Sequence, residues 1–113
     1  MAAKSPTPQR TLTIERILSS DGTPILVCRG QIVMETAGQF KSEVKSLAAQ
    51  HKCIQADMSN VPYVDSSGLG TILGAYMSAK GAGCELKLIK VHPNVRDLLN
   101  ITRLASVFEG QEQ

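Results

Sequence analysis

The densest chemistry of the chain lies in Asp65-Ser66-Ser67-Gly68-Leu69-Gly70, a carboxylate and two hydroxyls set among glycines. A short apolar run, Val61 to Val64, precedes it, and a helical pattern follows as far as Lys80. The first turn of a helix carries N–H groups without intrahelical acceptors and a partial positive charge. Anions are favoured there, including a phosphate carried by a side chain. Asp65 or Ser66 suits the N-cap, because a short side-chain oxygen reaches the first-turn N–H groups. The plain role of a serine at this point is a cap; the functional alternative is phosphorylation. A phosphate would gain from the helix end. Beside Asp65 it would also create a negative patch that opposes docking of an acidic or apolar partner. Position alone does not separate Ser66 from Ser67.

Other chemistries fit poorly. A hydrolase elbow needs Gly-x-Ser-x-Gly, but Asp65 stands where the first glycine belongs relative to Ser67. The histidines available as a base are His51 and His92, and neither has an acidic orienter in a known pattern. No Gly-x-x-x-x-Gly-Lys-Ser/Thr is present. Asp57 and Asp65 could converge on a hard cation, yet such a pair is more often a turn residue and a cap. Cys28, Cys53 and Cys84 lack zinc spacing and read as buried free thiols of a reducing cytoplasm. The expectation is a protein that is not an enzyme and holds no metal or cofactor.

The totals agree. A chain of 113 residues, 42% hydrophobic and 19% charged, suits one compact domain with a core of its own. A net charge of +2 with two Phe, two Tyr and no Trp implies neither nucleic acid nor an anionic membrane as partner. No apolar run approaches the ~20 residues that span a bilayer. Residues 1–10 read as a flexible polar tail without a secretory signal, residues 11–109 as the domain, and residues 110–113 as a polar end.

The elements that must position the corner follow from periodicity. Thr11–Leu18 and Ile25–Arg29 alternate as strands around a turn containing Asp21-Gly22, so a hairpin opens the fold. Gly30 to Met34 continues or bends the second strand. Thr36 and Gln39 have the spacing of a capping box, and Ala37, Phe40, Val44, Leu47 and Ala48 form the apolar stripe of a helix reaching about Gln50. Cys53–Ala56 is a short buried strand ending at Asp57. After the corner, Leu69, Ile72, Leu73, Tyr76 and Met77 form another stripe, with Gly81 as the residue after the helix end. Gly70 and Gly74 share a face, which serves either close packing or a bare surface for a partner. Glu85–Val91 is a strand, Pro93 opens a third helix at its first position, and Leu104–Phe108 is a last apolar run with the character of a strand. Strands alternating with helices predict an α/β fold with a mixed, mostly parallel sheet.

Val64, the run from Asp65 to Gly70 and Ile72-Leu73 together resemble the STAS domain, the sulfate transporter and anti-sigma factor antagonist family. The likeness is greatest to its stand-alone bacterial anti-sigma factor antagonists. Gly30 with Thr36-Ala37, and Ala56-Asp57-Met58-Ser59, resemble supporting segments of that family. The resemblance implies a cytoplasmic switch that catalyses nothing. A serine kinase that is also the anti-sigma factor phosphorylates the first serine of the motif, and a phosphatase restores it. Carried over, Ser66 is the phosphoacceptor, and Asp65, Ser67, Gly68, Leu69 and Gly70 belong to the partner-binding surface; ATP belongs to the kinase. Two departures stand out. Family members often have Gly-Glu-x-Asp where this chain has Gly30-Gln31-Ile32-Val33, and the family's last C-terminal helix is expected to be missing. The exposed sheet would then leave room for a partner or a dimer contact. The alternatives are a constitutive STAS scaffold in a signalling or transporter complex and a small-ligand or nucleotide-binding sensor.

Overall fold

The structure, a computed structural model, describes residues 11–108; the expected tail at residues 1–10 and the end at residues 110–113 lie outside the described residues. Strands β1 (Leu12–Leu18) and β2 (Pro24–Ile32) form the opening hairpin, and helix α1 (Ala37–Ala48) follows. Next come β3 (Cys53–Val64), α2 (Ser66–Gly81), β4 (Glu85–Ile89), α3 (Pro93–Ile101) and the one-turn α4 (Ala105–Phe108). The sheet order is β1-β2-β3-β4, with β1 antiparallel to β2 and the other neighbours parallel. The expected mixed, mostly parallel α/β architecture is the observed one.

Side-chain alternation places the core. Leu26 and Cys28 on β2, Ile54, Ala56 and Met58 on β3, and Leu86 and Leu88 on β4 are all buried. They meet Phe40 and Val44 of α1, Ile72 and Ala75 of α2, and Leu99 of α3 in one cluster. The intervening residues Ile25, Val27, Gln55, Asp57, Lys87 and Ile89 stay partly exposed. Thus the helices share one face of the sheet. Every residue of the stripe foreseen for α1 is buried.

Three elements depart from expectation. Strand β3 does not stop near Asp57 but runs on to Val64. Its second half pairs with the end of β2 through Arg29↔Asn60, Gln31↔Tyr63 and Ile32↔Val64, with register shifts on the way. Such irregularities let a strand accept Pro62. The C-terminal apolar run forms α4 rather than a strand, and the Phe108 ring meets Tyr76 edge-on at 5.7 Å. In α2 the deeply buried positions are Gly68, Ile72, Ala75 and Ala79, whereas Met77 of the expected stripe is 60% exposed. Small residues bring this helix close to its neighbours and turn the larger ones to the rim. Gly81 ends the helix, and it is Gly83, at φ +83°, that supplies the left-handed turn into β4.

Candidate functional site

Asp65 is the joint between β3 and α2. It is extended, at φ −90° and ψ −178°, and caps the helix: its Oδ1 accepts the Gly68 N–H at 2.7 Å. Its Oδ2 accepts the Met34 N–H at 3.2 Å, from the loop after β2. Its backbone N–H donates to the Ile32 carbonyl at 3.3 Å, and its carbonyl accepts the Leu69 N–H at 2.9 Å. One residue therefore ties β3, the end of β2 and the first turn of α2 together. Both carboxylate oxygens are engaged, so the negative charge is held in place beside the next residue. That residue, Ser66, is exposed at the first helical position, while Ser67 is half-buried. Among the described residues neither hydroxyl has a side-chain hydrogen bond. The Ser66 and Ser67 N–H groups, in the first turn, have no helical acceptor.

The glycines divide by role. A Cβ on Gly68 would lie 1.9 Å from the Ile32 carbonyl oxygen and 2.7 Å from its carbon, so the helix start rests directly on the end of β2. Gly70 faces open space, with nothing within 4 Å of where its Cβ would be. Gly74 meets only the end of the Lys41 side chain, at 3.5 Å. Close packing thus belongs to Gly68 and the bare surface to Gly70. Of the six motif residues, Ser66 and Gly70 are exposed, Asp65, Ser67 and Leu69 are half-buried, and Gly68 is buried.

The STAS domain model matches residues 16–112. The chain belongs to the STAS domain family. It is 28% identical over 88 residues to the anti-sigma F factor antagonist of Paenibacillus polymyxa, covering 76% of this chain and 75% of that protein. In three dimensions it is similar to an anti-sigma factor antagonist from Mycobacterium paratuberculosis, with a TM-score of 0.74, 21% identity, and 94% and 87% of the two chains covered. It is also similar to the Bacillus cell fate determinant SpoIIAA in its phosphorylated form, with a TM-score of 0.64 and 16% identity over 84% of this chain and 87% of that one.

In this STAS domain the loop between β2 and α1 is part of the site. Met34 is 71% exposed next to the Asp65 anchor, and Tyr63, near the end of β3, is 51% exposed. Neither was singled out by periodicity, because the pairing of β2 with β3 is what brings them to the corner. Tyr63 also borders a groove of about 330 Å³ between β3 and α3, lined by Pro62, Val64, Asn94, Val95 and Leu98. The expected capping box is absent. Buried Thr36 makes no cap; its hydroxyl accepts the Val33 N–H at 3.0 Å and donates to the Gln31 carbonyl at 2.7 Å. Gln39 reaches the Leu12 carbonyl on β1 instead, at 2.8 Å. Thr36 thereby shapes the loop that meets Asp65. Val33 is fully buried, and Gln31 is half-buried in register with Tyr63.

Asp57 and Asp65 serve separate local roles. The Asp57 Oδ1 accepts the Ser59 N–H at 2.9 Å and the Ser59 hydroxyl at 2.7 Å. Among the described residues no group of three His, Cys, Asp or Glu is placed to hold a metal ion. His92 caps α3, its Nδ1 accepting the Asn94 N–H at 3.1 Å. Burial pushes the Cys28 thiol up to about 12 and raises those of Cys53 and Cys84. These groups are held as thiols, which are poor nucleophiles. No helix among the described residues is long and apolar enough to cross a membrane.

Proposed function

We propose that this STAS domain is a non-enzymatic regulatory protein of the anti-sigma factor antagonist type, switched by phosphorylation of Ser66. Its partner is a serine kinase that is also the anti-sigma factor, and a serine phosphatase reverses the modification. The observation that carries the reading is the exposed Ser66 hydroxyl on the first turn of α2, next to a carboxylate that two backbone N–H groups hold still. The helix end tolerates an added phosphate. The fixed Asp65 charge adds to that phosphate, so the corner changes from one negative charge to nearly three. A partner that docks over Ser66, the bare Gly70 and exposed Met34 meets that repulsion directly. Ser66 is favoured over Ser67 by its greater exposure and by the family motif.

The test pairs phosphosite mapping with binding. The kinase and ATP add one phosphate to the wild-type protein and none to Ser66→Ala, and Ser66→Ala keeps its partner under those conditions. Ser66→Asp leaves the fold intact and weakens binding in part, since it adds one charge where phosphate adds about two. Loss of partner binding by Ser66→Ala on treatment with kinase and ATP would refute the role given to Ser66.

A further inference from the structure

Among the described residues, one face of the sheet is bare. β2, β3 and β4 run parallel, and parallel strands are ordinarily covered on both sides. On β1, Leu12 and Ile14 turn to the core and Arg16 reaches Glu43 of α1 at 2.7 Å. Alternation therefore puts Thr13, Glu15 and Ile17 on the side away from the helices, with Ile17 43% exposed. Ile25 and Val27 adjoin Ile17 there, and no described element covers them.

Register arranges this face in rows. Ile17, Ile25, Gln55 and Lys87 form one row, Glu15, Val27, Asp57 and Ile89 the next, and Thr13, Arg29 and Asn60 a third. A two-fold axis parallel to the strands, between β2 and β3, reverses each row. It lays β1 of one copy over β4 of the other, and β2 over β3. Lys87 then lies over Ile17 of the other copy, one row from its Glu15. Asp57 lies over Val27, one row from Arg29. Each base acquires an acidic neighbour, and each pairing occurs twice by symmetry. An axis at right angles to the strands through the middle row would stack Glu15 on Glu15 and Asp57 on Asp57.

We propose that a second copy of this chain covers the bare face. The two sheets stack about 10 Å apart in the aligned manner, and Lys87–Glu15 and Arg29–Asp57 contacts select the two-fold. The helices lie on the outside. Both Ser66 corners point to the same end of the dimer and stay open, so this inference is independent of the phosphorylation reading.

Sedimentation equilibrium from micromolar to submillimolar protein, at low and high salt, tests it on the whole chain. The wild-type protein dimerises, more weakly at high salt. Lys87→Glu and Glu15→Lys each weaken the dimer by about tenfold, because each replaces two attractions by two repulsions. The double substitution restores it, and unchanged circular dichroism and Tm in the variants exclude unfolding. A wild-type protein that stays monomeric throughout overturns the proposal. So does a dimer that ignores Lys87→Glu, or a double variant as weak as either single one.

Discussion

Gly68→Ala and Gly70→Ala differ by two positions in one helix and should act in opposite directions. At Gly68 the new methyl would sit 1.9 Å from a backbone oxygen, and backbone cannot rotate away as a side-chain tip can. Forcing α2 off the end of β2 costs on the order of 1–3 kcal/mol as overpacking. The Asp65 N–H to Ile32 carbonyl bond, 3.3 Å long, lengthens as Ile32 moves, at a further cost of about 1 kcal/mol. Helix propensity returns about 1 kcal/mol. The net is a loss of about 2 kcal/mol, or about 8–16 °C in Tm for a domain of this size. At Gly70 the methyl meets nothing within 4 Å. The helix term alone remains, and Tm rises by about 4–8 °C. Thermal melts by circular dichroism, with urea titrations for the free energies, measure both. A Gly68→Ala protein as stable as the wild type would refute the close approach of α2 to Ile32. A Gly70→Ala protein that loses stability would refute the open surface. The same Gly70 variant also reports on docking: partner affinity falls by about tenfold while Tm rises.

Asp65→Ala removes the cap on Gly68 and the tie to Met34, lowering stability by about 1–2 kcal/mol in urea unfolding, and Asp65→Asn recovers part of it. Thr36→Val leaves the buried Val33 N–H and Gln31 carbonyl without their hydroxyl partner and costs about 1–3 kcal/mol by the same measurement. The Cys28 thiol, raised from 9.0 to about 12 by burial, contributes stability in full below pH 9 and loses it as pH rises toward 12. Tm therefore falls through that window, and less steeply in Cys28→Ala; equal slopes would count against the burial effect. In the native protein at pH 8, thiol alkylation followed by mass spectrometry should find half-buried Cys53 modified well before Cys28.

Local patterns in the chain were enough for the element types around the corner. The alternating strands, the α1 stripe and the strand–corner–helix setting of Asp65 to Gly70 each rest on interactions a few residues apart, and such interactions are written in local periodicity. The motif residues likewise carried the family, which the match over residues 16–112 bears out. What escaped depends on neighbours distant in sequence. Strand β3 runs past Asp57 because β2 is there to pair with Asn60, Tyr63 and Val64, in a stretch with polar residues and a proline that no propensity would extend. Thr36 and Gln39 fit a capping box, but the Gln31 carbonyl of β2, the Val33 N–H just after it and the Leu12 carbonyl of β1 engage their side chains instead. The apolar stripe of α2 told which residues could be buried, not which side the sheet would approach. The contact with Ile32 decided that, since it admits only a hydrogen at position 68 and leaves position 70 open. Met34 and Tyr63 entered the site for the same reason. Composition and spacing define what each segment can form; which surfaces meet, and which remain bare for a partner, is set when the segments exclude one another's volume.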